Sequence, residues 1–218
     1  MTAAIAAATD RLAPVDADYD LLDRWRSGDS EAGQALFASH FDSVYGFFAS
    51  KCAGEIDELV QTTFLACVRA REQFRKESSF RTYLFTIARH ELYRHLRRRR
   101  RDGERIDFSI TSVAELATTP GTRLARSDEH RRLLEALRGL PVEQQTLLEL
   151  HYWEDMDISA LAEIFAAPTA TIRTRLHRAR RALRDRMEAG AAAPPHALAT
   201  LEGLDTWARQ VGGRGRDG

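Results

Sequence analysis

Residues 158–186 read ISALAEIFAAPTATIRTRLHRARRALRDR, and no other stretch constrains the fold as strongly. A short apolar segment (Ile158, Leu161, Ala162, Ile164, Phe165) leads into a small-residue turn, Ala166-Ala167-Pro168. Beyond it come seven arginines, Arg173, Arg175, Arg178, Arg180, Arg181, Arg184 and Arg186, against the single acid Asp185. The apolar residues Ile172, Leu176, Ala179 and Leu183 recur at steps of four, three and four, which in a helix makes one stripe down one face. The opposite face carries Ala170, Thr174, His177, Arg178 and Arg181. A buried stripe, a tight entry turn and a cationic outer face predict a helix-turn-helix whose second helix enters a major groove.

A formal net charge of zero over 218 residues would argue against a polyanionic partner if the charge were evenly spread. It is not. Residues 1–31 carry a net −4, whereas residues 89–101 and 171–186 each carry +6. Two separated cationic segments in a neutral chain suggest two contacts with one polyanion. Lysine is confined to Lys51 and Lys76, so the basic chemistry is guanidinium, which is planar and forked and binds phosphate or guanine bidentately.

The sequence has no alternating β-branched runs joined by hairpin turns, and helical periodicity runs throughout, so an all-α fold is expected. A first helix around Tyr19–Ser27 carries Leu21, Leu22 and Trp25. A second, capped by Asp29 or Ser30, carries Phe37, Phe41, Val44 and Phe48. After Gly54 a third carries Ile56, Leu59, Val60, Phe64 and Val68. Ser78 or Ser79 caps a fourth, with Phe80, Leu84, Ile87, Ala88 and Leu92, that ends in the arginines at 97–101. Residues 18–101 therefore read as one helical domain, and residues 1–17 as a disordered N-terminus.

Residues 102–127, with Gly103 and the TTPGT turn, read as a flexible linker that reaches at most about 85 Å. Residues 128–188 form the second domain: Asp128–Arg138, a Gly139-Leu140-Pro141 break, 142–152, then the helix-turn-helix. Residues 189–218 are an Ala/Pro/Gly-rich tail holding a short amphipathic helix, with Leu198, Leu201, Leu204 and Trp207 about one turn apart. That tail is expected to dock on the protein itself or on a partner, or to stay disordered in water; folded back on the second domain it would cover part of the recognition surface and modulate it weakly.

Cys52 and Cys67 show no metal-binding spacing and read as reduced buried thiols. No apolar run approaches a membrane span, and the N-terminus is a poor signal peptide, so a cytoplasmic protein without membrane insertion is expected. Histidines 40, 90, 95, 130, 151, 177 and 196 are scattered without metal spacing. There is no P-loop and no Ser/His/Asp arrangement, so neither an enzyme nor a cofactor is expected.

The strings ELVQTTFLACVRA, FRKESSFRTYLFTIARHELYRHLRRRRR and LRGLPVEQQTLLELHYWEDMDISALAEIFAAPTATIRTRLHRARRALRDRM stand in order over about residues 20–188. Together they resemble the extracytoplasmic-function (ECF) class of bacterial RNA polymerase sigma factors. The resemblance implies a promoter-specificity subunit with core RNA polymerase, promoter DNA and an anti-sigma factor as partners. By motif, the polymerase contact falls on Glu58, Leu59 and Gln61. The readers of the melted −10 strand fall on Arg81, Tyr83, Thr86, Arg89, His90, Tyr93 and Arg94, with Lys76, Ser78 and Ser79 in the loop that takes a flipped base. The duplex −35 readers fall on Thr174, His177 and Arg178, the face already given by the apolar stripe, with Arg173, Arg175 and Arg181 beside them.

A physical case stands beside the resemblance. Aromatic rings and cations interleave over 74–101, the combination that stacks on unpaired bases and tracks a single strand. Three positions depart from the family's pattern. Thr62 replaces an acid after ELVQ, His90 replaces an asparagine after IAR, and Ala166 replaces the glycine of the helix-turn, which suits only a backbone that avoids positive φ there. The alternative from another class is an autonomous helix-turn-helix regulator whose N-terminal bundle senses a ligand or dimerises.

Overall fold

The structure, a computed structural model, describes residues 14–52, 54–99, 106–116, 128–190 and 201–213. Among them are ten α-helices: α1 (Pro14–Arg26), α2 (Ser30–Ala49), α3 (Ile56–Ala70), α4 (Phe80–Arg99), α5 (Val113–Leu116), α6 (Asp128–Arg138), α7 (Val142–Tyr152), α8 (Ile158–Ile164), α9 (Thr169–Ala189) and α10 (Leu201–Gly213). The described residues hold no strand, only an isolated bridge between Ser112 and Pro141.

Helices α1 to α4 form the first domain. Helix α1 starts at Pro14, inside the stretch expected to be disordered; proline suits a first helical position because its missing N–H would have no partner there. Asp29 caps α2 by accepting from the backbone N–H groups of Glu31 and Ala32. Gly33 lets α1 and α2 approach closely, since a Cβ there would stand 2.6 Å from the Trp25 ring. The guanidinium of Arg26 donates to the carbonyls of Arg71 and Phe74, satisfying backbone oxygens left open where α3 ends. Leu36, Val44, Phe48, Leu84, Phe85 and Leu92 fill the core.

Residues 106–116 lie within the expected linker but are packed, not free. Ile106, Phe108 and Val113 are buried, and Phe108 stacks on Tyr93 at 4.2 Å. The backbone N–H groups of Val142 and Glu143 donate to the carbonyls of Thr111 and Phe108. Three apolar residues without regular spacing give no periodic signal, so the sequence could not mark this strap. The remainder of the linker lies outside the described residues.

Helices α6 to α9 form the second domain around Leu133, Leu137, Leu147, Leu150, Leu161, Ile172 and Leu183. Helix α8 ends in two reverse bonds, Ala166 N–H to the Glu163 carbonyl and Ala167 N–H to the Ala162 carbonyl, both 3.0 Å. This is the Schellman pattern, and it puts Ala166 at φ +48. The sequence expectation that Ala166 avoids positive φ is therefore corrected. The turn demands a left-handed residue, and alanine adopts that conformation at a cost of about 1–2 kcal/mol.

Helix α10 is the one expected in the tail, shifted so that Leu198 lies outside the described residues. It packs on α6, α7 and α9 and buries Leu204, Trp207 and Ala208.

His151, on α7, links three of these pieces. Its Nδ1 lies 3.1 Å from the Met156 carbonyl and its Nε2 lies 3.0 Å from the Arg180 guanidinium. Arg180 can only donate, so Nε2 accepts and Nδ1 carries the proton. Burial, chiefly, holds the imidazole below its ordinary pKa, and the Arg180 and Arg209 charges add to this against Met156 and Asp205. A depressed histidine is neutral in the fold, and the unfolded chain gains the proton first as pH falls through about 6.5. Thermal stability should therefore drop between pH 7.5 and 5.5, and His151→Gln should flatten that drop. An equally steep loss in the variant would place the titrating group elsewhere.

Candidate nucleic-acid interface

On α9 the stripe Ile172, Leu176, Ala179, Leu183 and Met187 is buried, while Arg173, Thr174, His177, Arg178 and Arg181 are all exposed. The Thr174 hydroxyl donates to the Ala170 carbonyl at 3.1 Å and keeps its lone pairs outward. Arg175 differs from its neighbours: it is half-buried and pairs with the Glu143 carboxylate. This helix offers an uncovered cationic face along more than two turns, long enough for a groove.

The residues assigned to the −10 strand do not share one environment. Ser79 caps α4: its hydroxyl lies 2.8 Å from that of Thr82 and accepts from the Thr82 N–H at 3.1 Å. Lys76 sits at φ +58, pairs with Asp23 and lies over the Tyr19 ring, whose hydroxyl donates to the Ser78 carbonyl at 3.0 Å. Loop 76–79 is thus held from α1. Tyr83 stacks on Phe74 at 4.6 Å, half-buried, and the Thr86 hydroxyl donates back to Thr82. His90 and Arg94 are exposed, with Arg94 paired to Glu91. Tyr93 is buried under Phe108, and burial raises its pKa.

Arg81 and Arg89 face the second domain. Arg81 pairs with Glu154, a carboxylate only 3% exposed. Arg89 donates to the Ile164 carbonyl at 3.1 Å and lies between the rings of Tyr93 and Phe165, 4.5 and 4.7 Å from their centroids. Below them the seam between the domains buries an ion pair. Lys51 Nζ, from the end of α2, meets the Glu149 carboxylate of α7, the Phe47 carbonyl at 2.9 Å and the Ser50 hydroxyl at 3.1 Å. Glu149 also accepts from Ser50 at 2.8 Å and Gln145 at 2.7 Å. Burial pushes the Lys51 ammonium below its ordinary pKa, and the Glu149 charge opposes that shift.

The residues assigned to the polymerase contact also separate. Glu58 and Gln61 are exposed, but Leu59 is core, 6% exposed. Leu59 is therefore corrected from partner contact to packing: it lies on the buried face of α3 with Thr63 and Cys67. Beside Gln61 opens an apolar groove of about 350 Å³ between α2 and α3, lined by Phe37, Phe41, Phe64, Leu65 and Val68. Phe41 is 44%, Leu65 45% and Val68 37% exposed. The apolar spacing in the sequence named Phe41 and Val68 on their helices and passed over Leu65. The signal was there: α3 carries more apolar residues than one stripe can bury.

A domain whose fourth helix carries arginines and aromatic rings, a second with an exposed cationic helix after a helix-turn, and an exposed apolar groove suit a two-domain promoter-recognition protein. Comparison with known proteins agrees. Residues 36–102 match the family model of Sigma-70 region 2, and residues 130–183 match that of Sigma-70 region 4. The ECF RNA polymerase sigma-E factor of Haemophilus influenzae is 27% identical over 180 residues, covering 78% of this chain and 95% of that protein. The RNA polymerase sigma-H factor of Pseudomonas aeruginosa is 26% identical over 176 residues, covering 76% and 91%.

Two solved structures share the fold. One is CnrH in complex with the cytosolic domain of CnrY (TM-score 0.60, 24% identity, 79% of this chain and 98% of that one). The other is RpoE in complex with the anti-sigma factor NepR from Bartonella quintana (TM-score 0.55, 23% identity, 71% and 96%). The chain belongs to the ECF class of bacterial RNA polymerase sigma factors, subunits that direct transcription initiation.

Proposed function

We propose that the protein acts in the cytoplasm as a dissociable promoter-specificity subunit without catalytic residues of its own. Its first domain holds core RNA polymerase through the Phe41–Leu65 groove with Glu58 and Gln61, and takes the melted −10 strand on loop 76–79 and α4. Its second domain reads the −35 duplex with Thr174, His177 and Arg178, while Arg173 and Arg181 meet phosphates. An anti-sigma factor is the expected regulator, as the RpoE structure of the same fold was captured with the anti-sigma factor NepR. No helix among the described residues is long and apolar enough to cross a membrane.

The observation that carries this reading is the recognition helix: a fully buried stripe on one side and five exposed polar or cationic residues on the other. Arg178→Ala in the holoenzyme should relax base preference at one −35 position and cost about 1–3 kcal/mol there, as loss of a bidentate base contact does. Arg173→Ala should weaken all sequences alike and lower the slope of affinity against salt by about one phosphate contact. A promoter-library binding assay separates the two. A uniform loss from both would overturn the assignment of the groove-reading face.

A further inference from the structure

The two cationic surfaces are unequally available. The −35 face is open, but Arg81 and Arg89 of the −10 face are engaged by the second domain. What engages Arg81 is an acidic loop: Glu154, Asp155 and Asp157, with Glu163 of α8, line a cleft of about 370 Å³ opposite Ser78, Ser79 and Arg81. Carboxylates thus occupy the arginine that the sigma reading assigns to the −10 strand.

The loop holds Asp155 at φ +52, a conformation that persists only where surrounding contacts fix it. Next to it the Met156 N–H donates to the Leu150 carbonyl at 3.1 Å and His151 donates to the Met156 carbonyl, and α10 adds a second set of contacts from outside. Asp205 accepts from the Tyr152 hydroxyl and pairs with Arg180 at 3.0 Å. The Trp153 indole donates to the Ala208 carbonyl at 3.2 Å, and Arg209 lies 3.7 Å from Asp155. At 13 residues, α10 is too short to be a stable helix by itself, so docking and helix formation are one event.

We propose that α10 braces the 152–157 loop as an autoinhibitory strand mimic, which keeps melted DNA off the −10 face until the domains part. The inference rests on the sigma reading above, since it needs a −10 face to occlude. When the second domain swings away, Arg81 and Arg89 are freed together, while Thr174, His177 and Arg178 have been open throughout. The closed protein therefore binds −35 duplex but not single strand. Apparent single-strand affinity is reduced by the fraction of molecules that are open.

Two full-length variants test this, Glu154→Gln, which removes the charge and keeps the shape, and Asp205→Lys, which sets a cation against Arg180. The probe is a labelled single-stranded DNA oligonucleotide of randomised sequence, and small-angle scattering reports the separation of the domains. If the open fraction of the wild type is about one tenth, each variant should bind the probe about tenfold more tightly and show a larger radius of gyration. Affinity for a −35 duplex should not change. Unaltered single-strand affinity in both variants would overturn the lock, and a gain from Glu154→Gln alone would overturn the bracing role of α10. Run-off transcription with core polymerase on the same preparations keeps the two readings apart. A wild type that directs no start overturns the sigma reading and the lock with it, whereas normal transcription with unchanged single-strand binding overturns the lock alone.

Discussion

Lys51→Met should destabilise the protein by about 3–5 kcal/mol, the loss expected when one member of a buried ion pair is removed and the other charge is stranded. Lys51 is fully covered and Glu149 is 4% exposed at the side chain. In the variant Glu149 keeps Ser50 and Gln145 as donors but loses its counter-charge. Because the pair joins α2 to α7, the loss should appear as a parting of the domains as well as a fall in the urea midpoint. The double variant Lys51→Met/Glu149→Leu should recover most of the stability, since an apolar pair of similar volume avoids the desolvation of two charges. Urea unfolding followed by tryptophan fluorescence checks both. A single-variant loss below about 1 kcal/mol would mean that the pair is solvated.

The second large effect concerns the groove between α2 and α3. Phe41→Asp with Leu65→Asp should weaken binding to core RNA polymerase by at least about 2 kcal/mol, a factor of about thirty, because aromatic and aliphatic anchors at the centre of an interface dominate its energy. Both side chains are nearly half exposed in the free protein, so the fold should be little affected. Leu59→Ala is the contrasting case. It removes a buried side chain and should cost about 2–5 kcal/mol of stability, so any loss of polymerase binding would follow from unfolding. Competition binding to core polymerase, with circular dichroism alongside, distinguishes the two. Undiminished binding by the double aspartate variant would move the partner surface elsewhere.

What the sequence made legible was whatever repeats locally. The Ile172–Leu183 stripe gave both the buried and the exposed face of α9, and Thr174, His177 and Arg178 are exposed as the spacing put them. The starts of α2 and α4 followed from the caps Asp29 and Ser79 in the same way. Contacts between distant residues left no such trace. Lys51 and Glu149 are 98 positions apart, and Arg81 and Glu154 are 73 apart, so nothing in either neighbourhood announces a seam. Leu59 misled because a helix buries some residues of a motif and exposes others, and the motif string does not say which. Phe108 and Ile106 escaped because a packed strap without regular structure has no period to read. Ala166 shows a local rule overruled: the turn needed a left-handed residue, and the Schellman bonds hold alanine in it.

As a sigma subunit, this chain supplies promoter choice to RNA polymerase and is not expected to act on DNA by itself. Run-off transcription from a randomised promoter library, with purified core polymerase in the presence and absence of the protein, tests it most directly. Specific starts that need both components, and that select paired −35 and −10 sequences, are the expected result. Core-independent, tight and sequence-specific binding of the protein to duplex DNA, with no specific starts from the mixture, would contradict it.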